Sequence, residues 1–99
     1  MSTKQNSILV ENNSSYFIKF TISDFNSQNT PLQSSDAIPS SFGKKLFISD
    51  MPSKIVIRTY YLENGVSWVE MAKATFSNVK ELVVSANNPN IPLTVRKHN

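Results

Sequence analysis

The dipeptide Asn64-Gly65 constrains the fold of this chain more than any other feature, because it separates two strand-like runs, 54–62 and 66–76. Both residues tolerate positive φ, so the pair favours a two-residue type I′ turn and an antiparallel hairpin. Counting outward from such a turn predicts four pairs on one face: Tyr61 with Trp68, Thr59 with Glu70, Ile57 with Ala72, and Ile55 with Ala74. That face is apolar except for one pair, which is typical of a sheet that covers a core on one side.

The opposite face of the predicted hairpin is mixed in character. Its pairs are Leu62 with Ser67, Tyr60 with Val69, Arg58 with Met71, and Val56 with Lys73. Tyr, Met and Arg are enriched in protein–protein interfaces, so this face is a candidate partner-binding surface. The candidate partner-binding residues of the whole chain are Phe17, Phe25, Leu32, Arg58, Tyr60 and Met71. Coverage of the same face by Phe25 or Leu32 is the alternative.

Period-two alternation predicts a second strand with unusual clarity, because apolar and polar side chains alternate over 16–23. A turn at 12–15 would join it to a short strand at 8–11 as a hairpin, pairing Glu11 with Tyr16, Val10 with Phe17 and Leu9 with Ile18. The aromatic residues expected in the core are Tyr16, Phe20, Tyr61, Trp68 and Phe76.

About seven short strands separated by turn residues account for the chain. They are expected at 8–11, 16–23, 44–49, 54–62, 66–76, 82–86 and 91–97. This pattern predicts an all-β fold, namely a small antiparallel β-sandwich of the Ig-like or Greek-key type, with an OB-like barrel as the alternative. Residues 1–6 are expected to be a flexible tail, and 7–97 a single domain.

The segment 24–41 is harder to interpret. It contains Pro31 and Pro39, which argue against a helix, but also the apolar residues Phe25, Leu32 and Ile38. Long structureless loops are uncommon in compact domains. Either a short strand lies near 30–34, or the segment is an Ω-like loop packed by its apolar residues. Such a loop could carry binding function or simply cross between two sheets.

The residues that most enzymes need are scarce. Cysteine is absent, the single histidine is His98 near the C-terminus, and Gly43 and Gly65 are the only glycines. A terminal histidine is a poor general base, and no phosphate loop or acidic calcium loop is present. We therefore predict no enzyme, no catalytic residue, no cofactor and no metal site. Glu70 is the one unusual carboxylate: burial on the apolar face would raise its pKa, whereas pairing with Lys or Arg is the alternative.

Charge and hydropathy limit the partners and the compartment. The net charge is +3, but the ten basic residues are spread along the chain, so nucleic acid is a disfavoured partner. The N-terminus is polar, and no apolar run reaches about 18 residues, the length of a membrane span. The chain is therefore expected to be cytoplasmic, or exported by a route that needs no signal peptide.

Three classes of function fit these observations. The leading hypothesis is a non-enzymatic protein-binding or assembly module that engages a protein partner or a second copy of itself. The alternative is a lectin-like or haemolysin-type β-sandwich that binds a glycan or a membrane surface, by analogy of fold. The third is binding of single-stranded nucleic acid on an OB-like barrel. It is disfavoured because Tyr61 and Trp68, whose rings would have to stack on bases, are assigned to the core.

Overall fold

The computed structural model describes residues 5–79, 81–88 and 93–97, which form a β-sandwich of eight strands. The strands are β1 (Gln5–Asn12), β2 (Ile18–Asp24), β3 (Gln33–Ser34), β4 (Gly43–Ser49), β5 (Lys54–Glu63), β6 (Ser67–Ser77), β7 (Glu81–Ala86) and β8 (Leu93–Lys97). The all-β sandwich is confirmed. Gln5 and Asn6, at the end of the expected tail, begin β1. Residues 1–4 of that tail, 91–92 of the last predicted strand and 89–90 of the loop before it lie outside the described residues.

Two four-stranded sheets pack face to face. Sheet 1 has the order β4-β1-β7-β8, and sheet 2 has the order β3-β2-β5-β6. β1 and β7 run parallel, and the other described strand pairs are antiparallel. The core between the sheets is aliphatic and contains one fully buried aromatic ring, that of Phe20. Its buried members include Ile8, Val10, Leu46, Ile48, Leu82 and Val84 from sheet 1, with Ile18, Ile22, Ile55 and Ile57 from sheet 2.

The predicted hairpin between the first two strands is wrong, because β1 and β2 belong to different sheets. β1 pairs with β4 and β7, whereas β2 pairs with β5 and β3. Each strand buries alternate apolar side chains on one face, represented by Val10 on β1 and Phe20 on β2, both fully buried. Two such faces cover one another when the strands lie in opposite sheets. Residues 13–17 therefore cross between the sheets.

The hairpin of β5 and β6 turns at the predicted residues but has a different register. Asn64 and Gly65 have φ values of 54° and 67°, and the Val66 N–H donates to the Glu63 carbonyl at 3.0 Å. The positive φ values at both positions are as predicted, but the loop has three residues, 64–66, where a two-residue turn was expected. The predicted pairs are wrong, because Glu63 pairs with Ser67 and the register shifts once more between Thr59 and Tyr60. The pairs on the inner face are Tyr61 with Val69, Thr59 with Ala72, Ile57 with Ala74, and Ile55 with Phe76.

At the second register shift, Met71 is an extra residue of β6 that has no pairing partner on β5. The residues that precede Met71 therefore lie on the opposite face of the sheet from the one that strict alternation along β6 would give them. A β-bulge leaves one residue unpaired and re-aims the side chains beside it. Trp68 and Glu70, which were expected on the core face, pair with Leu62 and Tyr60 on the outer face of sheet 2. Met71, which was expected on the outer face, packs against the core instead.

The segment 24–41 contains the short strand β3, in agreement with one of the two interpretations of its sequence. β3 pairs with β2 through Thr21 and Ser34, and Ile38 forms a further bridge to Ile18. The Ile38 side chain is buried in the core. The segment is thus tied to the edge of sheet 2 and delivers the chain to the start of β4.

Candidate functional site

Four connections meet at one end of the sandwich, which we call the tip: residues 13–17, 39–42 and 64–66, and the connection after β7, of which residues 87–88 are described. The Asn12 N–H donates to the Phe42 carbonyl at 2.9 Å, which joins the first two connections. The Leu62 N–H donates to the Phe17 carbonyl at 3.0 Å, which joins the first to the β5–β6 hairpin. The opposite end, which we call the base, contains residues 25–32, 50–53 and 78. There the Phe25 N–H donates to the Lys54 carbonyl at 3.0 Å.

Exposed apolar side chains concentrate at the tip. Val66 is 81% exposed and Phe42 is 64% exposed, the two highest values among the large apolar side chains of the described residues. Phe17 at 49% and Tyr16 at 39% belong to the same end of the sandwich. Tyr16, which was expected in the core, instead makes an edge contact with Tyr61 at 5.1 Å between ring centroids. At the base, the corresponding side chains are Phe25 and Leu32, while Phe47 and Val95 lie on strands of sheet 1.

A buried amide holds the tip connections together. The fully buried Asn12 side chain donates through Nδ2 to the carbonyl oxygens of Tyr16 at 2.7 Å and Ile38 at 2.8 Å. Its Oδ1 accepts from the N–H of Ser14 at 2.9 Å and from the Ser14 hydroxyl at 2.6 Å. The Ser40 hydroxyl donates to the Ser14 carbonyl at 2.6 Å. The connections that carry Tyr16, Phe17 and Phe42 are therefore ordered before any ligand arrives.

Beside the tip, a lysine lies between two aromatic rings on the outer face of sheet 2. Nζ of Lys19 is 4.9 Å from the Trp68 ring centroid and 5.6 Å from that of Tyr60. Lys19 pairs with Tyr60 across β2 and β5, one position from the Ile18–Tyr61 pair that begins β2. This arrangement exists because the bulge at Met71 turns Trp68 outward.

Further along the same face, Arg58 is fully engaged by other side chains. Its Nη1 lies 2.8 Å from Glu70 Oε1, and its Nη2 donates to Gln28 Oε1 at 2.7 Å. The Glu70 carboxylate is thus exposed and paired with a cation. This agrees with the alternative interpretation of the sequence, in which Glu70 pairs with Lys or Arg. Gln28 brings the connection after β2 over this face, where Val56 is buried outside the core cluster.

At the tip, Tyr61 has an altered acidity. Its hydroxyl donates to Glu63 Oε2 at 3.1 Å. This hydrogen bond, with partial burial and the charge of Glu63, raises the pKa of the Tyr61 phenol above its usual value. The phenol therefore stays protonated, and donates to Glu63, up to a higher pH than an ordinary tyrosine would.

The six predicted partner-binding residues do not form one surface. Phe17 lies at the tip, while Phe25 and Leu32 lie at the base. Arg58 and Tyr60 share the outer face of sheet 2, and Met71 packs inward. Sequence reasoning missed Phe42, Val66 and Lys19. A usable signal was present for two of them, since Phe42 precedes Gly43 and Val66 follows Gly65, so both apolar residues adjoin turn residues.

The described part of the chain contains neither a cluster of metal-ligating side chains nor a membrane-spanning helix. Within 5–79, 81–88 and 93–97, no group of three or more His, Asp or Glu side chains is placed to hold a metal ion. No helix long and apolar enough to cross a membrane occurs in those residues.

No protein-family model and no curated protein sequence matches the chain. Its fold recurs in solved structures of several toxins. A non-haemolytic pneumolysin from Streptococcus pneumoniae strain ST306 superposes with a TM-score of 0.63 at 11% identity, over 100% of this chain and 24% of that one. The human-specific toxin intermedilysin superposes with a TM-score of 0.63 at 9% identity, over 100% of this chain and 24% of that one.

Listeriolysin O gives a TM-score of 0.64 at 12% identity, over 98% of this chain and 23% of its own. The chain thus spans about a quarter of the length of the structures it matches. At this level of identity, the likeness establishes a shared fold.

Proposed function

We propose that this chain is a non-enzymatic domain that binds the surface of a lipid bilayer through its tip. The observation that carries the proposal is that Phe42 and Val66, far apart in the sequence, lie at the same end of the sandwich with both side chains largely exposed. Phe17 and Tyr16 are further exposed apolar side chains at that end.

Elementary energetics favour this use of the tip. Moving one Phe or Val side chain from water into an apolar environment is worth about 1.5–3 kcal/mol. Two such side chains therefore supply an affinity gain of well over tenfold. Because the Asn12 network already orders the two connections that carry Phe17 and Phe42, little conformational entropy is lost when these enter the interface.

The structural likeness to pneumolysin, intermedilysin and listeriolysin O supports the haemolysin-type alternative over the protein-binding module. The geometry of the outer face agrees with that preference. Arg58 is occupied by Glu70 and Gln28, and Met71 packs inward, so the mixed patch proposed as a protein-binding surface is reduced to Tyr60 and its neighbours.

A vesicle-binding comparison tests the proposal. The double variant F42S/V66S removes the two most exposed apolar side chains of the tip, and F25S/L32S is the matched control at the base. Trp68 is the only tryptophan and lies near the tip, so its emission reports vesicle binding in addition to co-sedimentation. We expect the wild type and F25S/L32S to bind phospholipid vesicles with a blue-shifted Trp68 emission, and F42S/V66S to lose at least tenfold in affinity.

Equal losses of vesicle affinity in the two double variants would indicate nonspecific adsorption through exposed apolar side chains and would argue against binding through the tip. A wild type that stays in the supernatant with every vesicle would refute membrane binding altogether. All these substitutions are at exposed positions, so the folded state should survive them, as far-UV circular dichroism would check.

A further inference from the structure

The Lys19 ammonium is held in position by aromatic rings and not by a carboxylate. Its Nζ lies within cation–π distance of both Trp68 and Tyr60. In the part of the chain that the structure describes, no carboxylate oxygen lies within 4.0 Å of this nitrogen. The rings therefore restrict the side chain without neutralising its charge.

Arg58 on the same face shows the opposite situation. Its guanidinium is neutralised by Glu70 at 2.8 Å and makes a further hydrogen bond to Gln28. Of these two cations, Lys19 is the one whose charge remains available to an anion. It is also the one nearer the tip, since β5 passes from Arg58 through the Lys19 partner Tyr60 to the turn.

The height of Lys19 above the tip matches the geometry of a bilayer surface. Trp68 is two residues from Val66, a spacing of about 7 Å along a strand. The polar headgroup region of each leaflet is roughly 5–8 Å thick. With Val66 at the hydrocarbon boundary, the Lys19–Tyr60–Trp68 cluster would lie at the depth of the headgroups. Trp and Tyr are enriched at that depth because one part of each side chain is apolar and another is polar.

We propose that Lys19, positioned by Tyr60 and Trp68, binds the phosphate of a phospholipid headgroup when the tip enters the bilayer. This inference rests on the proposed membrane function and adds the headgroup chemistry to it. The ammonium supplies the charge and up to three N–H donors to the phosphate oxygens.

The test compares two bilayers that differ in phosphate. Co-sedimentation of the full chain is measured with phosphatidylcholine vesicles and with vesicles of a digalactosyl lipid, which has no phosphate. The variant K19Q removes the charge, and K19R restores it. The matched control is K54Q, because Nζ of Lys54 lies 4.1 Å from the Phe25 ring centroid in a similar contact at the base.

We expect the wild type to prefer phosphatidylcholine, and K19Q to lose about fivefold in affinity for it. K19Q should show no preference between the two vesicles, while K19R and K54Q should behave like the wild type. Undiminished binding of K19Q to phosphatidylcholine, or an equal loss in K54Q, would overturn the assignment while leaving the membrane proposal intact.

Two further outcomes would overturn the assignment of Lys19 to a lipid phosphate, each for a different reason. Wild-type protein that binds neither vesicle would overturn both the membrane proposal and this inference. A change in Trp68 emission on adding inorganic phosphate alone, removed by K19Q, would assign the site to free phosphate and overturn the lipid assignment.

Discussion

The side-chain amide of Asn12 donates to the carbonyl oxygen of Ile38 at 2.8 Å, across 26 residues of sequence. This bond joins the end of β1 in sheet 1 to the segment that borders β2 in sheet 2. Because the same amide also donates to the Tyr16 carbonyl, one buried side chain fixes two of the connections that form the tip.

Replacing Asn12 by Ala should therefore destabilise the fold strongly. The substitution removes the four hydrogen bonds that the Asn12 side chain makes with Ser14, Tyr16 and Ile38 and leaves the buried Ser14 N–H without its acceptor. At about 1–3 kcal/mol for an unsatisfied buried group, we expect a loss of roughly 2–4 kcal/mol in the free energy of unfolding, measured by urea denaturation. The exposed neighbour Asn13 is the matched control, and N13A should change stability by less than about 0.5 kcal/mol. Similar values for the two variants would contradict the role assigned to Asn12.

Thr59 offers a stabilising substitution. It is fully buried between the sheets, and its hydroxyl oxygen has no hydrogen-bond partner among the described residues. Val has the same shape without the polar group, so T59V should raise the free energy of unfolding by about 1 kcal/mol. T75V, at an exposed position of β6, is the control and should be nearly neutral. A T59V protein less stable than the wild type would show that the hydroxyl is satisfied.

The Tyr61 phenol should titrate above its usual pKa of about 10. The neutral form is the one stabilised in the folded state, because its hydroxyl donates to Glu63. The resulting stabilisation is therefore complete below the unfolded-state pKa and is lost as the pH rises through the higher folded-state pKa. In the variant E63Q the midpoint of Tyr61 ionisation should fall. Ultraviolet difference titration, with Y61F to identify the signal, measures it, and an unchanged midpoint in E63Q would contradict the prediction.

Any side chain introduced at Gly65 should lower the stability of the fold, although there is space for one. Its φ is 67°, and a Cβ built there meets no atom within 4 Å. The penalty for G65A is therefore conformational and should be about 1–2 kcal/mol of stability. The substitution N64G is the control, since glycine accepts the positive φ of 54° at that position without strain. Thermal unfolding would compare the two, and a neutral G65A would mean that the turn adopts another conformation.

Much of the local structure follows from the sequence alone. The alternation of 16–23 predicts β2, and Asn64-Gly65 predicts the turn between β5 and β6. Both signals are local, because side chains alternate across a strand with a period of two and a positive φ selects particular residues. The all-β class could be predicted for the same reason, whereas of the five aromatic residues expected in the core only Phe20 is fully buried.

The site could not be predicted in this way, because it depends on contacts between distant segments. A crossing at 13–17 places β1 and β2 in opposite sheets, where the sequence is equally compatible with a hairpin. The bulge at Met71 exchanges the faces of Trp68 and Glu70, since one extra residue reverses a two-residue period.

The placement of Phe17, Phe42 and Val66 at one end of the sandwich likewise follows only from the three-dimensional fold. The sequence by itself determined which segments are strands and where the hairpin turns. The tertiary structure decided which strands pair, in which register and with which face outward, because those choices are set by mutual burial of apolar faces and not by any local preference.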